Sequence, residues 1–366
     1  MGGSAFKLCL AAAAVGAGAF TAPATSLRQP TSLAASGHAV IVQNKGGGHG
    51  EIGYHLAKAL AAKDLDVTIV QDASAKKEAL PFKLYDELSA TVAWCDMGDA
   101  AAVEKACAVD GLTHVYDNFA KSPADAAPMM AAAKASDAFY AFVSSAGMYT
   151  AKGILKEEKK VKDPPTGQRE VELALEADLA GKWCAFRPQY IYGPYTNKRD
   201  YLDWFLNRAA RDIPMAVPAD AQQPVSLTHC EDVAALMASV VGKEGAAADQ
   251  IFNCGTNKMC SYDDVCIAAA KALGKSEALV VALPPDTKSS FPFRPNAEGF
   301  AVRVRKAMDV LEWPGATHDV LSDLAGFYTE DYLALGLDKG DLDTSKDMLD
   351  LCENMVQDYG ERGVHV

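Results

Sequence analysis

The stretch HAVIVQNKGGGHGEIG, His38 to Gly53, joins an apolar run to a glycine-rich turn and then to the start of a helix. Gly47, Gly50 and Gly53 give the spacing G-x-x-G-x-x-G, with Gly46 and Gly48 as additional glycines. The pattern predicts a strand over 38–43 and a helix over about 51–62, the strand–turn–helix context in which such glycines carry chemistry. Gly47 and Gly50 tolerate positive φ and let backbone N–H groups approach a pyrophosphate at the positive end of the helix, while Gly53 lets helix and strand pack closely. A second strand over 66–70 ends at Gln71-Asp72, where a carboxylate meets the ribose of an adenosine. Asp72 disfavours the 2′-phosphate of NADP, whereas Lys45 would attract it, so the choice between NAD and NADP stays open.

Strands and helices continue to alternate: strands over 91–95, 113–117, 139–144 and 183–187, with helices over 100–109, 124–135 and 169–180. Such alternation implies right-handed βαβ crossovers and a parallel sheet with ligands at the carboxyl ends of its strands. Asp72, Asp96, Asn118 and Ser145 are therefore expected at one crevice, with Asp96 in reach of the adenine edge. The predicted fold class is α/β: a Rossmann-type doubly wound parallel sheet with a smaller C-terminal α/β substrate lobe. We divide the chain into a leader (1–37), a dinucleotide-binding core (38–187), a smaller lobe with elements returning to the core (188–330) and an acidic C-terminal helix or tail (331–366). Within the lobe, Pro188, Pro194, Pro214, Pro218 and Pro224 punctuate loops, and 225–229 reads as a strand.

In the leader, Lys7 precedes an apolar run from Leu8 to Phe20, too short for a membrane span and suited to a signal-peptide core. A Ser/Thr/Ala-rich, acid-free segment with Arg28 follows. The combination resembles the two-part leader of proteins sent to the stroma of plastids of secondary origin, with a plain secretory signal as the other reading. Loss of Lys7 and Arg28 with the leader takes the net charge from -13 to -15, which opposes nonspecific binding to nucleic acid or to anionic membrane. The nine cysteines show no zinc or redox spacing and read as reduced, mostly buried side chains.

SSAGMY (144–149), FRPQYIYGP (186–194) and SLTHCEDVAALM (226–237) resemble the extended short-chain dehydrogenase/reductase superfamily, the NAD-dependent epimerases and dehydratases. The resemblance implies a working Ser at Ser145 and a Tyr-x-x-x-Lys dyad in the following helix, whose lysine lowers the phenol's pKa for acid–base work. Here Pro164 stands at the tyrosine position and Gln168 at the lysine, so the dyad is absent and Ser145 is vestigial. Tyr54 and Lys58 repeat the spacing only on the surface of the first helix. A narrower likeness explains the departure: WCAFRPQYIYG, Asn197-Lys198, Asp203-Trp204-Phe205, the 223–229 region, Ile251 to Cys254 and Phe291 to Arg294 resemble the chloroplast stem-loop binding proteins, atypical members of the superfamily.

That resemblance implies plastid RNA, stem-loop or ribosomal, as partner, endoribonuclease activity with a divalent metal such as Mg²⁺, and homo- or hetero-oligomers with related subunits. RNA contact needs cations for phosphate and flat side chains for stacking. The primary candidates are Lys198, Arg199, Arg208 and Arg211 beside Trp204, followed by Lys156, Lys159, Lys160 and Lys162, and by Arg294, Arg303, Arg305 and Lys306. The metal ligands are unknown; Asp96, Asp117 and Asp232 are the carboxylates to test first, while His49 and His229 read as structural. Two alternatives stand beside RNA binding: an NAD(P)-dependent epimerase, dehydratase or reductase acting on a nucleotide-sugar-like substrate, and a catalytically inactive scaffold.

Overall fold

A computed structural model describes residues 37–43, 51–196, 199–218, 222–284, 287–294 and 299–351. The first part alternates β1 (His38–Gln43), α1 (Ile52–Ala61), β2 (Asp66–Asp72), β3 (Thr91–Cys95), α2 (Ala100–Cys107), β4 (Leu112–Asn118), α3 (Pro123–Ala135) and β5 (Phe139–Val143). Next come β6 (Gly153–Leu155), α4 (Gln168–Asp178), β7 (Trp183–Pro188), β8 (Ile191–Tyr192), α5 (Asp200–Ala209), β9 (Met215–Pro218), β10 (Thr228–His229), α6 (Cys230–Ala238) and α7 (Glu244–Ala247). The last elements are β11 (Gln250–Cys254), α8 (Tyr262–Ala272), β12 (Val280–Leu283), β13 (Phe300–Val302), α9 (Arg305–Leu311) and α10 (Val320–Gly326).

Seven strands form one parallel sheet in the order β3-β2-β1-β4-β5-β7-β11. The order reverses between β1 and β4, the switch point at which doubly wound sheets open a crevice. Central position explains the sequence of β1: Ala39, Val40, Ile41 and Val42 have no exposed surface, because helices cover both faces of the sheet. Ile52, Leu56 and Leu60 of α1 pack with Val233 and Met237 of α6 on one face. Val103 of α2, Met129 of α3 and Val171 and Leu175 of α4 cover the other. A third core, containing Leu202 and Phe205 of α5, Val265 of α8, Phe291, Phe293 and Leu324, gathers the later elements. Cap chemistry sets the start of α3: Ser122 Oγ accepts from the Asp125 N–H, and Asp125 in turn accepts from the Ser122 N–H at 3.0 Å.

Two local expectations change. Of the strand expected over 225–229, only Thr228–His229 pairs, with β8; Val225 forms isolated bridges to Cys260 and Phe300. The lysine-rich segment after Tyr149 contains β6, whose partner is β13. All seven described cysteines are free, six of them buried. Among the described residues no helix is long and apolar enough to cross a membrane.

Candidate nucleotide crevice and basic rim

Beyond the carboxyl ends of β4, β5 and β7 a cavity of about 220 Å³ is lined by Asn118, Lys121, Ser145, Gln168, Gln189 and Arg294, among others. Ser145 and Asn118 therefore meet as the strand pattern predicts. Ser145 follows β5 and caps a short 3-10 turn, its Oγ accepting from the Gly147 N–H at 3.1 Å. Arg294 braces that turn by donating to the carbonyls of Gly147 at 2.6 Å and Tyr149 at 2.9 Å.

Where the superfamily places its acid–base dyad, Pro164 lies in the loop before α4 and Gln168 is the first residue of the helix. Behind the crevice sits a charge network instead. Glu172, fully buried, accepts from Arg187 at 2.9 and 2.7 Å, from Ser144 Oγ at 2.7 Å and from Arg169 at 2.8 Å. Burial pushes the Glu172 carboxyl up, but the bonds and charge of Arg187, with those of Ser144 and Arg169, outweigh it and hold the group below its ordinary range. Glu172 is thus a fixed anion, a poor proton shuttle at neutral pH. The Tyr54–Lys58 spacing is a surface pair: Tyr54 donates to Glu87, and the Lys58 ammonium lies 5.2 Å from the tyrosine ring centre.

Of the glycine triplet, Gly47 and Gly50 lie outside the described residues, as do Lys45 and His49. At Gly53 a Cβ would stand 2.7 Å from Gln43 Oε1, which already accepts from Asn118 Nδ2 at 2.8 Å, so the glycine permits the close approach of α1 to β1. Replacement by alanine gains helix propensity of about 1 kcal/mol but displaces this locked amide at an overpacking cost of about 1–3 kcal/mol. Gly53→Ala is expected to lower stability by about 1 kcal/mol in urea unfolding; an unchanged or raised midpoint would refute the close approach. Asp72 ends β2 half-buried, its Oδ1 accepting from the N–H and hydroxyl of Ser74. Asp96 lies exposed beyond β3, accepting from the Gly98 N–H at 2.9 Å.

Sequence reasoning passed over Glu51, the acid inside the glycine turn. It precedes α1 in a left-handed conformation, φ 50°, and has no exposed surface. Its Oε1 accepts from Tyr85 Oη at 2.7 Å, and its Oε2 has no partner among the described residues. Burial pushes this carboxyl up to about 8, the Tyr85 bond offsetting only part, so it is mostly protonated at neutral pH.

The arginine cluster expected to meet RNA is turned inward. Arg208 is buried, donates to Asp347 at 2.9 and 2.6 Å, and covers the ring of Trp204, itself buried and bonded to Ser290. Arg199 pairs with Asp203 and Asp331. Arg211 donates to the carbonyls of Asn207, Leu337, Lys339 and Gly340. These cations neutralise buried acids and satisfy carbonyls of the C-terminal segment, which leaves little for a phosphate; Lys198 lies outside the described residues. The lysine segment is the reverse case. Lys156, Lys159, Lys160 and Lys162 are exposed; of the two acids between them, Glu157 accepts from the Asn253 N–H at 3.0 Å, and the exposed Glu158 pairs with Lys156 at 3.8 Å. Pairing of Leu155 with Val302 brings Arg303, also exposed, beside Lys156. Hydrogen bonds from Thr150 N to Lys160 O and from Lys162 N to Met148 O hold this basic rim against the turn that carries Ser145. Of the remaining cations, Arg305 pairs with Asp309, and Lys306 donates to the Ile251 carbonyl.

The three carboxylates considered for a metal do not assemble. Asp117 is buried and accepts from Phe119 N, Ala120 N and Tyr140 Oη, with burial pushing it up to about 6. Asp232 accepts from Thr317 and His318, and Asp96 serves its own turn.

With this topology and crevice, the chain belongs to the NAD dependent epimerase/dehydratase family, whose model matches residues 46–255. Among curated proteins it is 30% identical over 269 residues to the chloroplast stem-loop binding protein of 41 kDa b of Arabidopsis thaliana, covering 71% of this chain and 69% of that one. The likeness to the stem-loop binding type read from the sequence is borne out. Solved structures share the fold at low identity. A dTDP-glucose 4,6-dehydratase from Bacillus anthracis in complex with NAD aligns with a TM-score of 0.63 at 14% identity, over 82% of this chain and all of the other. A UDP-glucuronic acid 4-epimerase from Bacillus cereus, also with NAD, gives 0.58 at 15% identity, over 79% and 94%.

Proposed function

We propose that the chain is a plastid RNA-binding protein of the stem-loop type, acting in RNA processing or stabilisation, and that its phosphate-contacting surface is the rim of Lys156, Lys159, Lys160, Lys162 and Arg303. The observation that carries this reading is the crevice chemistry: Pro164 and Gln168 stand where a hydride-transfer enzyme of this fold needs a phenol and an ammonium, and a fixed Glu172–Arg187 ion pair lies behind them. The exposed cations gathered beside it, and the stem-loop binding relative, support RNA as the partner. Plastid location rests on the leader composition and on the chloroplastic relative. Asp96, Asp117 and Asp232, the carboxylates considered for a nuclease metal, are each engaged elsewhere, so binding is the activity proposed.

The residues fit the adenosine half of NAD: the close packing at Gly53, the Asp72 carboxylate at the end of β2, and a Glu51 that is neutral at pH 7. The group would supply hydride chemistry when bound, but this chain offers no acid–base partner for a sugar, and we assign the dinucleotide a structural or regulatory part. The alternative, an epimerase, dehydratase or reductase, rests on the same crevice.

Titration of the chain with a stem-loop RNA across a salt series separates the readings. The triple variant Lys159→Glu/Lys160→Glu/Lys162→Glu is expected to weaken binding by about tenfold or more and to reduce the slope of log K against log salt by about 2–3. RNA binding that is indifferent to the triple variant removes the rim. Turnover of NAD with a nucleotide sugar, with no RNA bound at low salt, establishes the enzyme reading.

A further inference from the structure

Away from the crevice, three side chains with no part in the chemistry above converge. His229 caps the start of α6, Glu231 lies in the first turn of that helix, and His318 precedes α10; one donor atom from each lies within 4.8 Å of the others. We propose that His229, Glu231 and His318 form a binding site for a late first-row divalent cation of the zinc class.

The donor set is the first support. Two imidazoles and a carboxylate are what zinc takes in sites that keep a further position open, whereas Mg²⁺ and Ca²⁺ prefer oxygen donors throughout. Neighbouring donors on a tetrahedral zinc lie about 3.4 Å apart, so closing the cluster needs side-chain movements of about 1 Å. The outer partners are in place as well. His318 holds Glu231 Oε2 at 3.1 Å on Nε2 and Asp323 Oδ2 at 3.0 Å on Nδ1, and Asp323 in turn accepts from Tyr192 Oη at 2.7 Å. A carboxylate on the far nitrogen of a ligating imidazole fixes the ring and its tautomer and raises its basicity.

His229 and His318 stack with ring centres 3.6 Å apart and planes 17° apart, and because a bound ion lies in the plane of each imidazole the two rings must tilt apart to share one. Beyond Glu231 stands His55 of α1, its side chain only 12% exposed and 4.0 Å from the carboxylate. Among the described residues neither of its ring nitrogens has a hydrogen-bond partner, and Nδ1 is the one that faces the Glu231 carboxylate. A cavity of about 450 Å³ lined by Tyr192, Tyr195, His229, His318, Asp323 and Glu330 opens on the site and offers an entry path for the ion.

Ligation has costs. The incoming cation must displace the direct contact between His318 Nε2 and Glu231 Oε2. His229 must give up the bond its Nδ1 accepts from the Glu231 N–H at 3.2 Å, a cap whose loss weakens binding by about five- to tenfold. A structural zinc site outweighs such terms by many orders of magnitude.

The test uses the full, tag-free chain, reduced and stripped by chelation, with Zn²⁺ followed calorimetrically and Co²⁺ by visible absorption. One ion per chain and the intense bands of four- or five-coordinate Co²⁺ are expected. Glu231→Gln, at a half-exposed side chain whose replacement buries nothing, and His318→Gln should each weaken Zn²⁺ by about 100-fold or more. Asp323→Asn, acting through His318, should weaken it by about tenfold. Metal-free melting of each variant confirms the fold. No uptake by the wild-type chain, or uptake and Co²⁺ spectra unchanged in both Glu231→Gln and His318→Gln, overturns the site; the outcome is independent of RNA or dinucleotide binding at the crevice.

Discussion

Glu172→Ala is expected to lower the stability of the chain by about 3–5 kcal/mol in urea unfolding, a large share of what holds a domain folded. The substitution leaves Arg187 buried without its partner, since Glu172 takes two of its donors, and Ser144 loses its acceptor in the same step. The charge that remains cannot reach water: its side chain is 3% exposed and lies over the Tyr149 ring. Replacing both partners, Glu172→Leu with Arg187→Met, removes charge and desolvation cost together and should recover most of the loss. A double-mutant cycle therefore gives a large coupling term. Glu172→Ala within about 1 kcal/mol of wild type would mean that Arg187 finds another anion or water. The functional side follows from position. α4 and β7 are tied by a buried charge pair one turn beyond Gln168, which fixes the helix and supplies no movable proton.

How far the sequence told this in advance differs from element to element. β1, α1 and β2 were legible because a buried parallel strand is a continuous apolar run and the glycine spacing has few other uses. β9 and β12 were not: each has four residues, Pro214 and Pro218 mark the first as loop, and the two strands that satisfy each other are far apart in sequence. β6 was hidden in a lysine-rich segment for the same reason, its partner β13 lying beyond residue 299. Within the candidate site, Ser145 and Asn118 could be placed because strand ends fix them. Arg208 could not, because its composition-level reading as a surface cation depends on where Asp347 falls, 139 residues later. Charge in a sequence has a sign but no direction. Glu157 makes the point again: an acid within the basic run, it bonds inward to the Asn253 N–H, while its neighbour Glu158 stays exposed and pairs with Lys156.

Glu51→Gln is expected to flatten the pH dependence of stability between about pH 5 and 8. The wild-type carboxyl titrates near 4.5 when unfolded and near 8 when folded. A raised folded-state value means that its contribution is fully present below about 4.5, declines as pH rises, and is gone above about 8. Some 3.5 pH units at about 1.4 kcal/mol each set an upper limit on the order of 5 kcal/mol for the loss across that window. Glutamine keeps the acceptor for Tyr85 and cannot ionise, but it adds amide donors where Oε2 already lacks a partner among the described residues, at about 1–2 kcal/mol. The variant should thus be near wild type at pH 5 and more stable by a few kcal/mol at pH 8.5, read from urea midpoints at both pH values. Parallel curves for the two proteins would show that Glu51 is ionised throughout. The same titration bears on the crevice, because an anion at the start of α1 opposes a pyrophosphate drawn to that helix terminus. NAD affinity followed by intrinsic fluorescence should fall for the wild type between pH 7 and 9 and hold for Glu51→Gln. A neutral acid at that position makes the dinucleotide site conditional on pH, a property suited to regulation and unneeded in a hydride-transfer enzyme.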